Sequence, residues 1–311
     1  MNGNIKYMSH DLIDKAKWDQ CIEHASNGLV YAYSFYLDTM ADHWDALVLS
    51  EGLHSEDDYK AVMPLTWKKK YGIHYLYQPF LTAQLGVFGN GINAELMESF
   101  LSAIPRKFKY ADIYLNKQNL FPLQQYELYQ RSNYVLDLHK PYEQLYKKYN
   151  ENIQRNIKKA LQGGCIIQKG FDIVKVIDLA LRQMKKHSKE SAENADRFSK
   201  LYHLLKPQRR TLTYGISLKD ELLASAVFFF SHKRAYYILV GNHPAGKTIG
   251  ASHALIDAFI KDHSGQDLIL DFEGSDIPSL ALFYSSFGAV EEKYAGLKLN
   301  RLPFYLKWLK K

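Results

Sequence analysis

Residues Asp267–Ala289 read DLILDFEGSDIPSLALFYSSFGA and show the clearest pattern of secondary structure in the chain. The apolar run Leu268–Phe272 is predicted to form a buried strand, and Pro278–Phe287 is predicted to form a helix. Phe287-Gly288 then turns the chain into a final strand or hairpin at Glu291–Leu299. The stretch therefore predicts a strand–helix–strand unit at the end of the chain.

The residues upstream extend this pattern. Two strand-like runs are joined by Leu218-Lys219-Asp220-Glu221, which predicts a tight hairpin. A third strand leads through a predicted glycine-containing loop into a helix. The order expected for the last third is thus β-β-β-α-β-α-β, with the earlier elements at Thr211–Ser217, Leu222–Phe230, Ala235–Val240, Gly241–Gly250 (loop) and Ala251–Asp262 (helix).

The first half alternates strand-like and helix-like stretches. Asn93 is predicted to cap a helix that runs to about Ile104, with Glu95 in its first turn. The predicted strands around it are Ala46–Ser50, Lys60–Thr66, Ile73–Tyr77, Ala111–Leu115 and Tyr134–Leu138.

A helical period begins at Pro141. Apolar residues spaced four apart predict one apolar stripe that ends at Gly163-Gly164, and its members are Leu145, Tyr149, Ile153, Ile157 and Leu161. Further elements are predicted as a strand at Cys165–Gln168 and helices within Ile173–Lys189 and Ala195–Leu205.

The positive charge of the chain is concentrated in its centre. The net charge of the 311 residues is +7, yet Lys140–Arg210 alone holds 17 Lys and Arg against 7 Asp and Glu. A segregated basic region attracts phosphate-bearing partners such as nucleotides, RNA or anionic lipid. A set of solvated basic helix faces explains the same pattern, and the sequence leaves both interpretations open.

Composition indicates an ordinary globular protein, with 47% hydrophobic and 23% charged residues. Cys21 and Cys165 lie far apart, which fits two reduced thiols better than a disulfide framework or a zinc site. The N-terminus lacks the apolar core of a signal peptide, and the longest apolar run, Leu222–Phe230, is far shorter than the roughly 20 residues that span a bilayer. We therefore expect a cytoplasmic protein without an integral membrane segment.

The order of elements resembles the core of the GNAT superfamily of acyltransferases. Ala281-Leu282-Phe283-Tyr284-Ser285-Ser286-Phe287-Gly288-Ala289 looks like the GNAT segment A-x-x-[LF]-Y-x-x-x-G-[FA]. In that family the tyrosine often acts as a general acid toward the departing thiolate, so the resemblance implies this role for Tyr284.

A second resemblance points to the Fem-like branch of that superfamily. Asn152–Ala160 followed by Gly163, and Asp271-Phe272-Glu273-Gly274-Ser275, are similar to segments of Fem-type transferases. The resemblance implies an α/β (α+β) fold of two tandem GNAT-like domains, each a mixed, mainly antiparallel sheet flanked by helices, here at residues 1-140 and 141-311. Fem proteins transfer amino acids from aminoacyl-tRNA to a peptidoglycan precursor, and related branches use other acyl donors.

Acyl transfer to an amine needs a base or ammonium partner as well as an acid for the leaving group. Asp271 and Glu273 flank Phe272 at the predicted end of a strand, so alternation places both carboxylates on one face. With Phe272 packing inward, that face would open toward a cleft. We predict Tyr284, Glu273 and Asp271 as catalytic residues, with a structural pair that caps the next loop as the alternative for the two carboxylates.

The loop before the helix at Ala251 is the place where the GNAT family binds acyl-CoA pyrophosphate. Here it keeps glycines but lacks the leading Gln or Arg and the close glycine spacing of [QR]-x-x-G-x-[GA], so CoA binding is in doubt. A phosphate could still be held by charge and by a helix N-terminus. The predicted donor-binding residues are Val240, Gly246, Lys247, Thr248, Gly250 and Ser252.

The same loop matches the spacing of a Walker A motif, because Gly241 lies five residues before Gly246-Lys247-Thr248. A nucleotide hydrolase also needs a parallel sheet with an Asp on a neighbouring strand. The predicted hairpin just upstream argues against that architecture.

A basic row at Arg155, Lys158 and Lys159 is predicted to bind substrate phosphate or RNA backbone, with an exposed basic helix face as the alternative. We predict an N-acyl or aminoacyl transferase without metal and without a tightly bound cofactor. The donor would be aminoacyl-tRNA or acyl-CoA, and the acceptor an amine on an anionic small molecule or on a UDP-linked precursor such as one of the cell wall. A CoA-dependent N-acetyltransferase of a small molecule and a non-catalytic GNAT-like binding module are the alternatives.

Overall fold

The computed structural model describes residues 5–50, 58–184, 192–274 and 276–304. Its backbone contacts group into two compact units, Met1–Arg131 with Lys293–Lys311, and Ser132–Glu292. The sequence predicts a division into two domains between residues 140 and 141, and that division stays a prediction. We refer to the two contact groups as unit 1 and unit 2.

Unit 1 contains mainly antiparallel strands and three α-helices among its described residues. Its apolar core lies under helix α3, where Phe100 and Leu101 are fully buried. The elements are β1 (Ile5–Met8), α1 (Lys15–His24), α2 (Ser34–Met40), β2 (Trp44–Ser50), β3 (Tyr59–Lys70), β4 (Ile73–Leu76), β5 (Phe88–Gly89), α3 (Ala94–Ala103) and β6 (Phe108–Tyr114), with short 3-10 helices at His10–Leu12, Val30–Ala32 and Lys117–Asn119.

Unit 2 also combines strands with helices, and its described residues contain more helices than those of unit 1. Its core is built around Phe228, Phe259 and Phe272, each at most 1% exposed. The elements are β7 (Leu128–Asp137), α4 (Tyr142–Tyr146), α5 (Glu151–Gln162), β8 (Ile166–Lys169), α6 (Ile173–Met184), α7 (Ala192–Leu205), a 3-10 helix (Lys206–Gln208), β9 (Thr211–Leu218), β10 (Glu221–Ser231), β11 (Arg234–Asn242), α8 (Pro244–Ile249), α9 (Ala251–His263), β12 (Ile269–Asp271), α10 (Pro278–Ser285) and β13 (Val290–Asn300). Residues 128–131 of β7 and residues 293–300 of β13 belong to unit 1.

The two units repeat one strand–helix–strand arrangement. In unit 1, β3 pairs antiparallel with β4, and β4 pairs parallel with β6 after the intervening α3. In unit 2, β10 pairs antiparallel with β11, and β11 pairs parallel with β12 after α8 and α9. A parallel pair needs such a crossover, which is usually helical. The repeat confirms the predicted mixed, mainly antiparallel sheets flanked by helices.

Several local predictions are confirmed. The Asn93 side chain accepts a hydrogen bond from the backbone N–H of Leu96 at 2.9 Å, so it caps α3 as the sequence indicates. The turn between β9 and β10 forms a hairpin in which Leu218 pairs with Glu221. Part of the helix predicted within Ile173–Lys189 lies outside the described residues, as does Ser275.

The prediction of one continuous helix from Pro141 is wrong. The helical stretch is divided into α4 and α5, because the Asn150 side chain accepts a hydrogen bond from the backbone N–H of Ile153 and begins a new helix. Tyr149, Ile153 and Ile157 are buried as the stripe predicts, whereas Leu161 is 48% exposed. The stripe therefore ends one turn earlier than its spacing indicates.

Candidate functional site

The candidate site of unit 2 lies at the carboxyl end of β12, which is much shorter than its neighbour β11. The two strands pair in parallel through Arg234–Tyr236 and Ile269–Asp271. β12 ends at Asp271, whereas β11 continues to Asn242. Beyond Asp271 the chain stays next to β7, because the N–H of Phe272 donates to the carbonyl oxygen of Tyr134 at 3.0 Å.

Tyr284, the predicted acid, lies in this region on the last turn of α10. Its ring stacks on Phe272 with centroids 4.5 Å apart and an interplanar angle of 18°. Tyr237 of β11 contacts Phe272 edge-on, at 6.0 Å and 82°. Since Phe272 is 1% exposed, the prediction that it packs inward is confirmed, and it acts as the platform for Tyr284.

The environment of Tyr284 keeps its phenol protonated. Burial raises the pKa of Tyr284 to about 12, and the negative charge of Glu273 contributes to the rise. Burial also raises the pKa of the neighbouring Tyr237 well above its ordinary value. A phenol with such a pKa is a hydrogen-bond donor at neutral pH, which is the protonation state that an acid for the leaving group requires.

Asp271, the second predicted catalytic residue, is buried in an ion pair. Its Oδ2 accepts a hydrogen bond from Arg234 Nη1 at 2.6 Å, and its side chain is 4% exposed. Its Oδ1 accepts from Asn133 Nδ2 and from the backbone N–H of Glu273, both at 2.9 Å. Arg234 in turn donates to Glu292 at 3.0 Å. Both oxygens of the Asp271 carboxylate therefore accept hydrogen bonds from protein groups.

Glu273 contributes to the raised pKa of Tyr284 but is not placed by strand alternation. β12 ends at Asp271, and Glu273 has a φ of +67°, in the left-handed region that side chains other than glycine rarely adopt. The argument that Asp271 and Glu273 share a face because of their spacing is therefore wrong. Asp271 faces Arg234, whereas the half-buried Glu273 is near enough to raise the pKa of Tyr284.

The segment predicted as a loop at Gly241–Gly250 is instead largely the helix α8. Pro244 occupies its first turn, and the His243 side chain accepts from the backbone N–H of Ala245 at 3.3 Å. Gly250 ends the helix with a φ of +81° and precedes α9 directly. The expectation of a loop rested on the glycines, which here serve as helix and cap residues.

Protein packing explains the two glycines of this segment. A Cβ atom at Gly250 would lie 2.5 Å from the carbonyl oxygen of Asn156 on α5, and one at Gly246 would clash with the carbonyl oxygen of Leu223. Both positions must therefore be glycine for α8 to pack. Their predicted role in binding a donor phosphate stays a prediction.

The other predicted donor-binding residues surround α8. Val240 lies on the part of β11 beyond its pairing with β12, and the hydroxyl of Ser252 donates to the side chain of Asn242. Lys247 is exposed and lines a cavity of about 360 Å³. Thr248 is exposed, and its carbonyl oxygen accepts from Lys159 Nζ at 2.8 Å.

The predicted substrate-binding row lies on the exposed face of α5. Arg155, Lys158 and Lys159 line one shallow cavity of about 480 Å³, together with Glu151 and two glutamines. The Arg155 guanidinium is oriented by Asn152, whose Oδ1 accepts from Nη2 at 2.8 Å. The three cations therefore form one surface, as their spacing indicates.

Sequence reasoning missed Arg234, Asn133 and Tyr237. Arg234 is 6% exposed although it lies just before an apolar run, and Asn133 is fully buried. A charged residue at the start of a buried strand, with an aspartate on the next strand, was the available signal for the ion pair. Tyr237 gave no separate signal within its apolar run.

Within the described ranges, no group of three or more His, Cys, Asp or Glu side chains is arranged to hold a metal ion. The helices in those ranges are all too short or too polar to cross a membrane.

Comparison with known proteins assigns a domain to the centre of the chain. Residues 147–275 match the family model described as acetyltransferase (GNAT) domain. Among curated proteins, sequence comparison finds no match.

Solved structures extend the likeness to the whole chain. FemX is similar at a TM-score of 0.64 with 13% identity, over 98% of this chain and 99% of that chain. A conserved protein of unknown function from Bacteroides thetaiotaomicron VPI-5482 is similar at 0.57 with 12% identity, over 94% and 99%. A tandem GNAT protein from the clavulanic acid biosynthesis pathway is similar at 0.51 with 8% identity, over 96% and 99%. The chain thus shares its fold with FemX and with a tandem GNAT protein, and residues 147–275 match the acetyltransferase (GNAT) domain model.

Proposed function

We propose that the chain is an acyltransferase that moves an acyl or aminoacyl group to an amine on an anionic acceptor such as a cell-wall precursor. The observation that carries this proposal is the buried Tyr284, whose ring stacks on Phe272 at 4.5 Å, directly before Glu273 at the end of β12. The GNAT domain match and the Fem-like fold support a transferase of this class.

In the proposed reaction, the neutral amine of the acceptor attacks the carbonyl carbon of the donor. A C–N bond forms, the bond to the leaving oxygen or sulfur breaks, and the nitrogen loses one proton. Glu273 accepts that proton or holds the acceptor ammonium before it. Tyr284 donates its phenolic hydrogen to the leaving atom, so the charges that develop in the transition state are both met by side chains.

The phenol of Tyr284 can assist either class of donor. Burial raises its pKa, so at neutral pH it carries a hydrogen that it can donate to a departing sulfur or to a departing oxygen. The choice of aminoacyl-tRNA as donor therefore rests on the packing of α8 and on the basic face of α5.

The packing of α8 favours a donor other than acyl-CoA. In the segment that would bind a CoA pyrophosphate, the two glycines pack closely against the backbone of Leu223 and Asn156. The basic row on α5 offers a separate phosphate-binding surface for tRNA or for a UDP-linked acceptor. The second candidate is a CoA-dependent N-acetyltransferase of a small molecule, which the description of the matching domain family favours.

The test is a turnover screen of the purified protein with acetyl-CoA or aminoacyl-tRNA as donor, and a UDP-linked muropeptide or a small amine as acceptor. We expect transfer from aminoacyl-tRNA to the muropeptide and a loss of transfer in Tyr284→Phe. Transfer from acetyl-CoA alone would support the second candidate. Absence of transfer and of ligand-induced thermal stabilisation with every pair would contradict the enzymatic proposal and favour a binding module.

A further inference from the structure

We propose that Asp271 is a positioning residue, which Arg234 and Asn133 hold so that its carboxylate fixes the backbone of Glu273 and aims Glu273 toward Tyr284. The inference rests on the proposed function, in which Glu273 and Tyr284 act on the substrate. It replaces a catalytic role for Asp271 by an indirect one.

The first step is the burial of Asp271. A buried carboxylate is tolerated only where charge and hydrogen bonds replace the lost water. Arg234 provides both at 2.6 Å, and its own side chain is only 7% exposed. Burial works against the charge of Arg234, yet Asp271 and Glu292 raise its pKa above the ordinary value. Arg234 therefore stays charged, and the geometry of the pair is set by two buried side chains rather than by solvent.

The second step is the orientation of Oδ1. Asn133 donates to this oxygen from β7 at 2.9 Å, and the neighbouring backbone supports Asn133, whose own Oδ1 accepts from the N–H of Tyr134 at 2.8 Å. With Oδ2 directed at Arg234 and Oδ1 at Asn133, the plane of the carboxylate is determined. Neither oxygen is directed at a substrate, because the side chain is 4% exposed.

The third step is the strained backbone. Glu273 has a φ of +67° and Gly274 a φ of +83°, so the chain makes two consecutive left-handed residues after the strand. Such a conformation is unfavourable for a residue with a Cβ and persists only where other contacts impose it. The backbone N–H of Glu273 donates to Asp271 Oδ1 at 2.9 Å, which is the contact that imposes it here.

The consequence is measurable at Tyr284. The Glu273 carboxylate is near enough to contribute to the raised pKa of the phenol. If Asp271 no longer fixed the backbone, Glu273 would leave this position and its contribution would be lost. Tyr284 therefore reports the position of Glu273 without any substrate.

The test compares Asp271→Asn, Glu273→Gln and the double variant by NMR titration of ¹³Cζ-labelled tyrosine, with the Tyr284 signal assigned from Tyr284→Phe. We expect the pKa of Tyr284 to fall from about 12 in both single variants and to fall no further in the double variant. An unchanged Tyr284 pKa in folded Asp271→Asn, together with a lowered one in Glu273→Gln, would overturn the inference.

Kinetics provide the second readout, with the donor and acceptor pair that turns over in the screen. We expect kcat to fall about 100-fold in Asp271→Asn with KM changed less than threefold, because a small displacement of a reacting group has an effect of this size. In the Glu273→Gln background the same substitution should have little further effect. Additive losses would instead indicate that Asp271 acts on the substrate itself.

Asp257→Asn is the matched control, because Asp257 is another buried carboxylate of unit 2 and accepts from Tyr142 at 2.9 Å. It should lower the melting temperature while leaving kcat and the Tyr284 pKa unchanged. If Asp271→Asn does not fold, Asn133→Ala carries the test and should shift the Tyr284 pKa in the same direction by less. If no donor turns over, the NMR titration still decides the inference, so its failure and that of the proposed function are distinguishable.

Discussion

Two connections of unit 2 follow neighbouring parallel strands and differ in how they use their left-handed residues. The β11–α9 connection, residues 243–250, ends at Gly250 with a φ of +81°. The β12–α10 connection, residues 272–277, places Glu273 at +67° and Gly274 at +83°. The first uses glycine where the backbone requires it, whereas the second also forces a glutamate into the same conformation.

The surroundings of the two connections explain the difference. Gly250 contacts the backbone of Asn156, so its conformation serves the packing of α8 and α9 on α5. Glu273 is held by the buried ion pair of Asp271 and Arg234, and it influences the phenol of Tyr284. The left-handed conformation of Gly250 allows close packing of helices. The same conformation at Glu273, where a buried network holds a charged residue, indicates a functional site.

The largest effect on activity is expected for a substitution of Tyr284. We expect Tyr284→Phe to lower kcat by about 100- to 1000-fold, because the leaving atom loses its hydrogen-bond donor. The measurement is single-turnover transfer with the pair identified in the screen. The control is Tyr142→Phe, which removes a half-buried phenol that donates to Asp257 and should affect stability alone. Unchanged turnover in Tyr284→Phe would remove the acid from the proposed mechanism.

The packing role of the first connection is tested by Gly250→Ala. We expect the free energy of unfolding to fall by about 3 kcal/mol, since the new Cβ adds a clash with Asn156 to the unfavourable φ. Chemical denaturation measures this difference.

Gly265→Ala is the matched control for that experiment, because Gly265 has a φ of +77° and no atom within 4 Å of a new Cβ. It should lower the unfolding free energy by only about 1 kcal/mol. Equal losses in the two variants would show that the contact with Asn156 is unimportant.

The second connection is tested by Glu273→Gly, which should separate stability from activity. Glycine accepts a positive φ, so we expect the free energy of unfolding to stay constant or to rise by up to about 1 kcal/mol. Turnover should nevertheless fall, because the carboxylate near Tyr284 is lost. Denaturation and transfer assays are run on the same preparation.

Lys219→Gly provides the corresponding control. Lys219 has a φ of +55° in the exposed turn between β9 and β10, so the substitution relieves a similar strain far along the chain from the catalytic segment. It should raise stability without changing turnover. A loss of stability in Glu273→Gly that is as large as its loss of activity would contradict the assignment of strain to the site.

The smallest effect is expected on the basic face of α5. Arg155→Ala combined with Lys158→Ala should raise KM for a phosphate-bearing substrate about fivefold, equivalent to about 1 kcal/mol, because two exposed charges are lost. The effect should fade at high salt, where exposed charges are screened. Lys175→Ala combined with Lys200→Ala removes the same charge from α6 and α7. An equal rise in KM in that control would indicate a general effect of charge.

Much of the fold follows from local sequence. The hairpin at Leu218–Glu221, the Asn93 cap and the apolar strand Ala235–Val240 are strong short-range signals, and all three are found. The predicted boundaries of elements are wrong where one residue that starts a helix overrides the wider pattern. Asn150 interrupts a helix that the apolar stripe continues, and Pro244 begins a helix where the glycines indicate a loop.

The candidate site was predictable only in part. One contiguous segment contains Tyr284, Glu273 and Asp271, so the sequence alone indicates all three as candidates. Their relations are not local. Asp271 is bonded to Arg234 and Asn133, which lie 37 and 138 residues away along the chain. Strand alternation cannot place Glu273, because the strand ends before it.

The element order of the last third, the concentration of basic residues, and the aromatic and carboxylate groups of residues 271–284 follow from the sequence alone, because they depend on spacing and composition within short stretches. The contacts of the glycines in the α8 segment, the buried ion pair of Asp271 and the left-handed conformation of Glu273 emerge only in the folded chain. Burial, ion pairing and backbone strain depend on residues that are distant in sequence and become neighbours on folding.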